Sequence, residues 1–340
     1  MNAFAPVEAL TVRLAEPEDR AAIRAFVEAH PDATPFHLPE WSEAVERGCG
    51  QRGLTFVTER GGRIAGLLPL TQIRSPLFGS ALVSTGFGVE GGVLGEGADA
   101  LADAACRIAE DRNCPSVELR GGPVPAGWER KEGLYHGFAR DLPQEDEAIL
   151  KAIPRKQRAE VRRALGFGLQ VTVAGDPAAH YRVYSESVRN LGTPVFPRAL
   201  FEGVLDGMDA DILTVSHAGT PLASVLSLYF RGTVYPYWGG GTREARSARA
   251  NELMYFELMR HAARRGCTRF DFGRSKAGTG AFAYKKNWGF APRPLVYAVN
   301  GEARETNPLS PKYRLQVAAW KKLPLWLANR LGPPIARGLG

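Results

Sequence analysis

The sequence has no run of about 18 uncharged apolar residues, roughly the least that spans a bilayer as a helix. Its opening stretch MNAFAPVEALTVRLAEPEDR carries acids where a secretion signal needs an apolar core. These absences set aside membrane-spanning and exported readings; a cytoplasmic protein is expected, free or lying on the inner face of the membrane. The four cysteines, Cys49, Cys106, Cys114 and Cys267, include no CxxC pair, and the six histidines include no HExxH. Neither a zinc site nor a disulfide framework is expected, only buried, reduced thiols. What remains is ordinary globular composition: 340 residues, 44% hydrophobic and 23% charged, suit two average domains. The formal charge of +7 favours an anionic partner without choosing among nucleotide, tRNA, acyl carrier and membrane surface.

Two stretches align without a gap at an offset of 158, LTFVTERGGRIAGLLPL at 54–70 and ILTVSHAGTPLASVLSL at 212–228. Both read as strand, tight turn and strand, with Gly61 and Gly219 at the same turn position, where a residue without Cβ takes positive φ. A second pair, NCPSVELRGG at 113–122 and GCTRFDFGRS at 266–275, follows at an offset of 153, each after an amphipathic helix. Two matches in one order predict a duplication. The boundary falls near residue 150, where LPQEDEAILKAIPRKQR passes from acidic to basic. The expected units are 1–150, 151–300 and an appendage over 301–340.

Gly239, Gly240 and Gly241 follow the apolar strand YPYW and precede a helix, so backbone amides there can approach a ligand closely. Arg243, Arg246 and Arg249 add positive charge at that mouth, with Asn251 beyond them. Alternation puts Asp271 on the face opposite Phe270 and Phe272, close to Arg274 and Lys276. Its carboxylate either takes the proton of an acceptor amine or belongs to a structural ion pair; Glu118 holds the same place in the first repeat. Between Lys151 and Arg163 stand six basic residues and one acid, with Arg155, Arg158 and Arg162 spaced for one helical face and Lys156 beside them. An anion-binding stripe and a solvated helix both fit. Phe36, His37 and Trp41 from FHLPEWSEAVE, Tyr184, and Tyr235 with Tyr237 are candidates to line an acceptor site, and the loop GFGVEGGVLG at 86–95 is placed to close over it.

The stretch at 235–290 combines a glycine-rich strand end, a helix, the FDFG strand and YKKNWGF. It resembles the C-terminal signature of FemAB-like proteins, in particular their exosortase/PEP-CTERM-associated branch. The resemblance implies an α/β (α+β) fold of two tandem GNAT-like domains, each a mixed sheet flanked by helices, with a C-terminal helical appendage. It implies transfer of an acyl or aminoacyl group to an amine in cell-envelope or exopolysaccharide modification. Lys285 matches the family lysine, expected to support donor charge; oxyanion stabilisation would fall to amides near Trp238 and Gly239. No tightly bound cofactor is implied; the donor is acyl-CoA, an acyl carrier protein or aminoacyl-tRNA. TREARSARANEL lacks the glycines of the usual coenzyme A pyrophosphate loop, which leaves room for a carrier-bound or tRNA-bound donor. A CoA- or carrier-dependent N-acyltransferase of an amino sugar or amino acid is the alternative within this class. A non-catalytic membrane- or nucleic-acid-binding module is the rival outside it.

From Thr306 to Gly340 there is no acid, while Lys312, Arg314, Lys321, Lys322, Arg330 and Arg337 are basic. Trp320, Leu323, Trp326 and Leu327 are expected to share an apolar face, with Pro324 kinking or dividing the helix. Such a segment suits an anionic membrane surface, with a lipid-linked sugar as acceptor, or a helix docked on the second domain.

Overall fold

The computed structural model describes residues 8–173, 176–302, 304 and 311–340. The start of the basic tail, 305–310, lies outside the described residues. The first half runs β1 (Thr11–Leu14), α1 (Arg20–Ala29), α2 (Pro39–Cys49), β2 (Arg52–Arg60), β3 (Arg63–Ser75), β4 (Gly79–Ser84), β5 (Leu94–Gly95), α3 (Ala98–Asp111) and β6 (Ser116–Arg120). A long strand, β7 (Glu129–Asp141), then leads through α4 (Asp146–Ala152) into α5 (Arg155–Leu165), β8 (Gln170–Val173), α6 (Pro177–Leu191) and α7 (Arg198–Gly207). The second half continues with β9 (Ala210–His217), β10 (Thr220–Phe230), β11 (Thr233–Gly241), α8 (Ala250–Arg264), β12 (Arg269–Lys276), α9 (Gly280–Asn287) and β13 (Arg293–Gly301). The tail forms α10 (Arg314–Trp320) and α11 (Leu325–Ala336).

The duplication expected from sequence is present in the topology. The aligned stretches are the hairpins β2–β3 and β9–β10, and their turns hold Gly61 at φ +58° and Gly219 at φ +77°. Each hairpin is extended by an antiparallel third strand, β4 or β11. A helix then crosses over, α3 or α8, and the next strand pairs parallel to the third: β6 with β4, β12 with β11. The two units join into one sheet of order β1-β2-β3-β4-β6-β13-β7-β12-β11-β10-β9-β8, with β5 attached to β3. At the seam the connections cross. β13, from the chain after the second repeat, pairs with β6 of the first, and β7, from the chain before it, pairs with β12 of the second.

Separate cores lie under each unit, around Leu68, Leu82 and Leu101 in the first and around Val225, Phe270 and Trp288 in the second. A third core is shared. Trp41 of α2, fully buried, stacks on Trp238 of β11 at 5.9 Å, and Phe201 of α7 meets Trp238 edge-on at 4.7 Å. Each such buried aromatic contributes on the order of 2–3 kcal/mol by area alone, so the halves hold each other in a fixed relation. Cys49, Cys114 and Cys267 are buried free thiols, as expected; Cys106 is only half-buried.

The tail docks across both halves. Trp320 Nε1 donates to Thr193 O at 3.1 Å and Asn329 Nδ2 to Ser185 Oγ at 3.2 Å, both in the second half. The last residues reach the first: Gln51 Nε2 donates to Arg337 O at 2.8 Å and Arg120 to Gly340 O at 3.1 Å. Pro324 divides the helix, since α11 begins after it. The expected single apolar face does not form, because Trp320 turns inward to bond Thr193 while Trp326 stays 69% exposed.

Candidate active site

In the second unit, parallel pairing of β11 with β12 is short. It covers Thr233↔Arg269 and Val234↔Phe270, after which the strands part. Bulges shape both strands beyond that point. In β11 the register against β10 shifts between Leu226↔Trp238 and Ser227↔Pro236, so Tyr237 is the extra residue. In β12 the register against β7 shifts between Asp271↔Ala139 and Arg274↔Gly137, and Gly273 within the bulge takes φ +66°. Any other residue there would be strained.

A narrow cleft opens at the parting. It is lined by Tyr235, Pro236 and Tyr237 of β11, Asp271 and Gly273 of β12, Gly137 of β7, and by Thr34, Phe36, Val89 and Glu90 of the first half. Its inner space of about 20 Å³ has room for one small group. Residues of both halves line it.

Asp271 faces this cleft while its neighbours Phe270 and Phe272 are buried in the core behind, as alternation predicted. The carboxylate accepts from Gly273 N–H at 2.8 Å and forms no ion pair among the described residues. Burial pushes it up to about 6, with the Gly273 amide opposing and Glu90 adding to the rise. Glu90 itself is engaged by Arg293, at 2.8 and 2.9 Å to its two oxygens.

Lys285 lies on α9, behind Gly273 and outside the cleft lining. Its Nζ donates to Gly273 O at 3.2 Å and Arg274 O at 2.8 Å, closing the bulge from the rear. Burial lowers it to about 7, opposed by the nearby Asp271 charge. YKKNWGF encodes a helix end: α9 stops at Asn287, Gly289 takes φ +84°, and Phe290 enters the core. Arg274 is held in the interior, donating to Tyr297 Oη with its guanidinium 4.9 Å from the Tyr135 ring centroid.

Of the proposed acceptor-lining residues, the structure brings Phe36, Tyr235 and Tyr237 together at the cleft. Tyr237 is fixed there by donating its hydroxyl to Phe87 O. The others stand back from it. His37 is buried, bonded to Thr34 Oγ1 at 3.0 Å and Gly92 O at 3.1 Å, and burial lowers it to about 4; it clamps the loop over 86–95. Trp41 donates Nε1 to Gly86 O at 3.1 Å within the shared core. Tyr184 is buried on α6, stacked on His180 at 5.7 Å.

The three glycines continue β11 to its end instead of forming a loop at a helix N-terminus. Their bare Cα atoms admit close neighbours: a Cβ on Gly239 would stand 2.9 Å from Tyr255 Oη, on Gly240 2.5 Å from Ser187 Oγ, and on Gly241 2.5 Å from Asn251 Oδ1. Thr242 N–H bonds Leu222 O at 2.8 Å across β10, so strand alternation turns the amides of Gly239 and Gly241 toward the side that β12 has left. Arg243 and Arg246 are exposed in the turn before α8. Arg249 ion-pairs with Glu160 of α5 at 2.5 Å, which brings the two basic stretches into one rim. On α5, Lys156 and Arg162 are exposed, and Arg158 donates to Lys151 O at 3.3 Å.

Sequence reasoning missed Thr34, Val89, Glu90, Gly137 and Arg293 as individual residues. Val89 and Glu90 sit in the loop singled out to close over substrate. Glu90 and Arg293 are 203 positions apart, and only the strand crossing at the seam makes them neighbours.

Comparison with known proteins agrees with this architecture. Residues 152–286 match the family described as Acetyltransferase (GNAT) domain. A search of curated protein sequences found no match. Among solved structures, FemX is similar over 84% of this chain and 96% of its own, with a TM-score of 0.64 at 16% identity. A tandem GNAT protein from the clavulanic acid biosynthesis pathway is similar over 86% and 98%, with a TM-score of 0.57 at 14% identity. L-PGS from Bacillus licheniformis is similar over 91% and 98%, with a TM-score of 0.53 at 13% identity. The chain thus shares its fold with FemX and with the tandem GNAT protein, and the match to the GNAT domain lies in its second half.

Proposed function

We propose that the protein transfers an acyl or aminoacyl group from an activated ester or thioester to an amine, with the reaction centred on residues 151–300 and the first half closing the cleft. The observation that carries this reading is Asp271: a carboxylate with no ion pair among the described residues, raised by burial, facing a space the size of a reacting group. Such a carboxyl is poised to accept a proton near neutral pH.

In this reading the amine nitrogen attacks the donor carbonyl, and Asp271 takes the proton it must lose. The oxyanion lies against the Gly239 amide on the open edge of β11 beside Trp238. The bond from the acyl carbon to the ester oxygen or thioester sulfur then breaks, and the leaving group carries off the electron pair and takes up a proton, returned by Asp271 through solvent. Lys285 holds the bulge that presents Asp271 and adds positive potential near the donor. The basic rim of Lys156, Arg158, Arg162, Arg243, Arg246 and Arg249, with Asn251 and Arg274 further in, takes the carrier. The exposed arginines and the absence of a glycine-rich pyrophosphate loop favour an acyl carrier or aminoacyl-tRNA over free coenzyme A. The FemAB-like motif extends the reading to cell-envelope or exopolysaccharide modification in the exosortase-associated branch, with an amine on a lipid-linked sugar as acceptor.

The test is single-turnover transfer by the purified protein, offered acyl-CoA, acyl carrier protein and aminoacyl-tRNA with amine acceptors, beside Asp271→Asn. Transfer from one donor class that the substitution removes supports the reading. Donor and acceptor binding without turnover in the wild type overturns it in favour of a binding module.

A further inference from the structure

Away from the cleft, the tail encloses an apolar groove of about 320 Å³ together with both halves of the chain. One wall is Leu77 and Phe78 from the β3–β4 turn, another is Gly192–Pro194 after α6, and the third is Val317 and Trp320 of α10 with the end of α11. The tail sits tightly on this frame. Gly192 has φ +91°, and a Cβ there would be 2.5 Å from Val317 Cγ1.

The groove is open, and its mouth is greasy. Leu77 is 65% exposed; Leu315, beside the lining residue Gln316, is 79% exposed; Leu191, beside Gly192, is 63% exposed. An open groove lined mainly by apolar side chains, with Leu77 exposed at its edge, marks a binding surface. Charge around it has one sign. Among the described lining residues Lys312 is the only charged one, Arg314, Lys321 and Lys322 are exposed on the same segment, and no acid follows Glu305 in the sequence. None of these four cations has a carboxylate partner among the described residues.

We propose that this groove takes one acyl chain of an anionic phospholipid when the protein docks on a membrane, with Lys312, Arg314, Lys321 and Lys322 meeting headgroup phosphates. Charge complementarity selects the occupant: exposed cations with no carboxylate partner among the described residues, set around a hydrocarbon slot, match an anionic lipid at both ends. An RNA surface has the same use for the cations and none for the exposed leucines. The inference stands apart from the transfer chemistry, since none of these residues lines the cleft.

The full-length protein is mixed with vesicles of phosphatidylcholine alone or of phosphatidylcholine with phosphatidylglycerol, and binding is read by co-sedimentation. Chain insertion is read by quenching of tryptophan fluorescence with acyl-chain-brominated lipid, in Trp320→Phe and Trp326→Phe to assign the signal. The expected result is binding to the anionic vesicles alone, weakened on the order of tenfold or more by Lys312→Glu with Lys321→Glu, and quenching that Trp320→Phe removes. Val317→Phe, which fills the groove without changing charge or adding a tryptophan, should abolish the Trp320 quenching. A thermal melt matching the wild type shows that each variant keeps its fold; Val317→Leu, a smaller filling, replaces Val317→Phe if that variant melts early. Equal binding to neutral vesicles, quenching from Trp326 alone, or displacement of vesicles by tRNA with the same dependence on Lys312 and Lys321 would each overturn the proposal.

Discussion

The two repeats put an acid at the same position and treat it in opposite ways. Glu118 in β6 and Asp271 in β12 correspond at the offset of 153. Around Glu118 the parallel strands stay paired, through Val83↔Glu118 and Ser84↔Leu119; around Asp271 they have already parted. Arg120, two residues after Glu118, bonds its carboxylate at 2.7 Å, and the same position after Asp271 is Gly273, where a Cβ would meet nothing within 4 Å. Arg120 also donates to Thr85 O, Gly88 O and Gly340 O, so the first opening is filled by an arginine and the last residue of the chain. Burial works to raise Glu118, but Arg120, helped by Arg274 and Arg304, carries the carboxyl below its usual range; with no ion-pair partner among the described residues, Asp271 rises to about 6. One duplicated frame has become a closed structural unit and an open one, and the exchange of an arginine for a glycine is the clearest mark of the change.

The comparison breaks most visibly in turnover. Asp271→Asn is expected to cut the transfer rate by about 10²- to 10⁴-fold, the range for losing a general base, while Glu118→Gln leaves the rate within a few-fold. Rates measured with a saturating donor decide it, and equal losses would mean that the first unit also does chemistry. The wild-type rate should rise with pH through about 6 as Asp271 ionises.

Stability should move the other way. The folded-state pKa of Asp271 lies above its ordinary value of 3.8, so the folded protein binds this proton more tightly than the unfolded chain. Stability from this group therefore falls as pH rises from about 4 through 6, and the ionised carboxylate is a cost at neutral pH. Asp271→Asn should raise stability at pH 7.5 by on the order of 1–2 kcal/mol, with no gain at pH 3.5. Glu118→Gln should lower it by about 1–3 kcal/mol by leaving Arg120 buried without its carboxylate. Because the Glu118 pKa is depressed, that deficit should fade as pH falls through its folded-state value. Urea titrations at the two pH values read both.

Much of this contrast was legible in the sequence, and its direction was not. The repeat, the turn glycines and the outward face of Asp271 follow from alternation and spacing, which are local properties. The cleft is not local. Phe36, Glu90, Gly137 and Asp271 meet because β7 and β13 cross at the seam, and no periodicity reports which distant strand becomes a neighbour. Lys285 was singled out through its motif, but the bulge it closes is a one-residue slip in register, invisible until the partner strand is known. The glycines of β11 were read as an open amide surface, whereas each also makes room for a side chain from α6 or α8. Duplication of the acid left a proton acceptor and a structural ion pair both open for Asp271, since the sequence shows that acids recur and not which one keeps an arginine.

The smallest expected effect tests whether missing positive charge is what separates the two acids. Glu90 raises Asp271 and at the same time occupies Arg293, which lies near enough to lower it. Glu90→Gln removes one negative charge from the cleft and loosens the hold on a cation, so both changes push Asp271 toward the state of Glu118. The acid limb of the pH–rate profile should shift to lower pH by less than about one unit, and the rate above pH 7 should hold within a few-fold, because the base is already ionised there. Arg293→Gln separates the two contributions: it leaves Glu90 charged and takes the cation away, so the limb should move to higher pH. If both substitutions leave the limb in place, desolvation alone sets Asp271, and the parting of β11 from β12 matters more than the charges the first half brings to it.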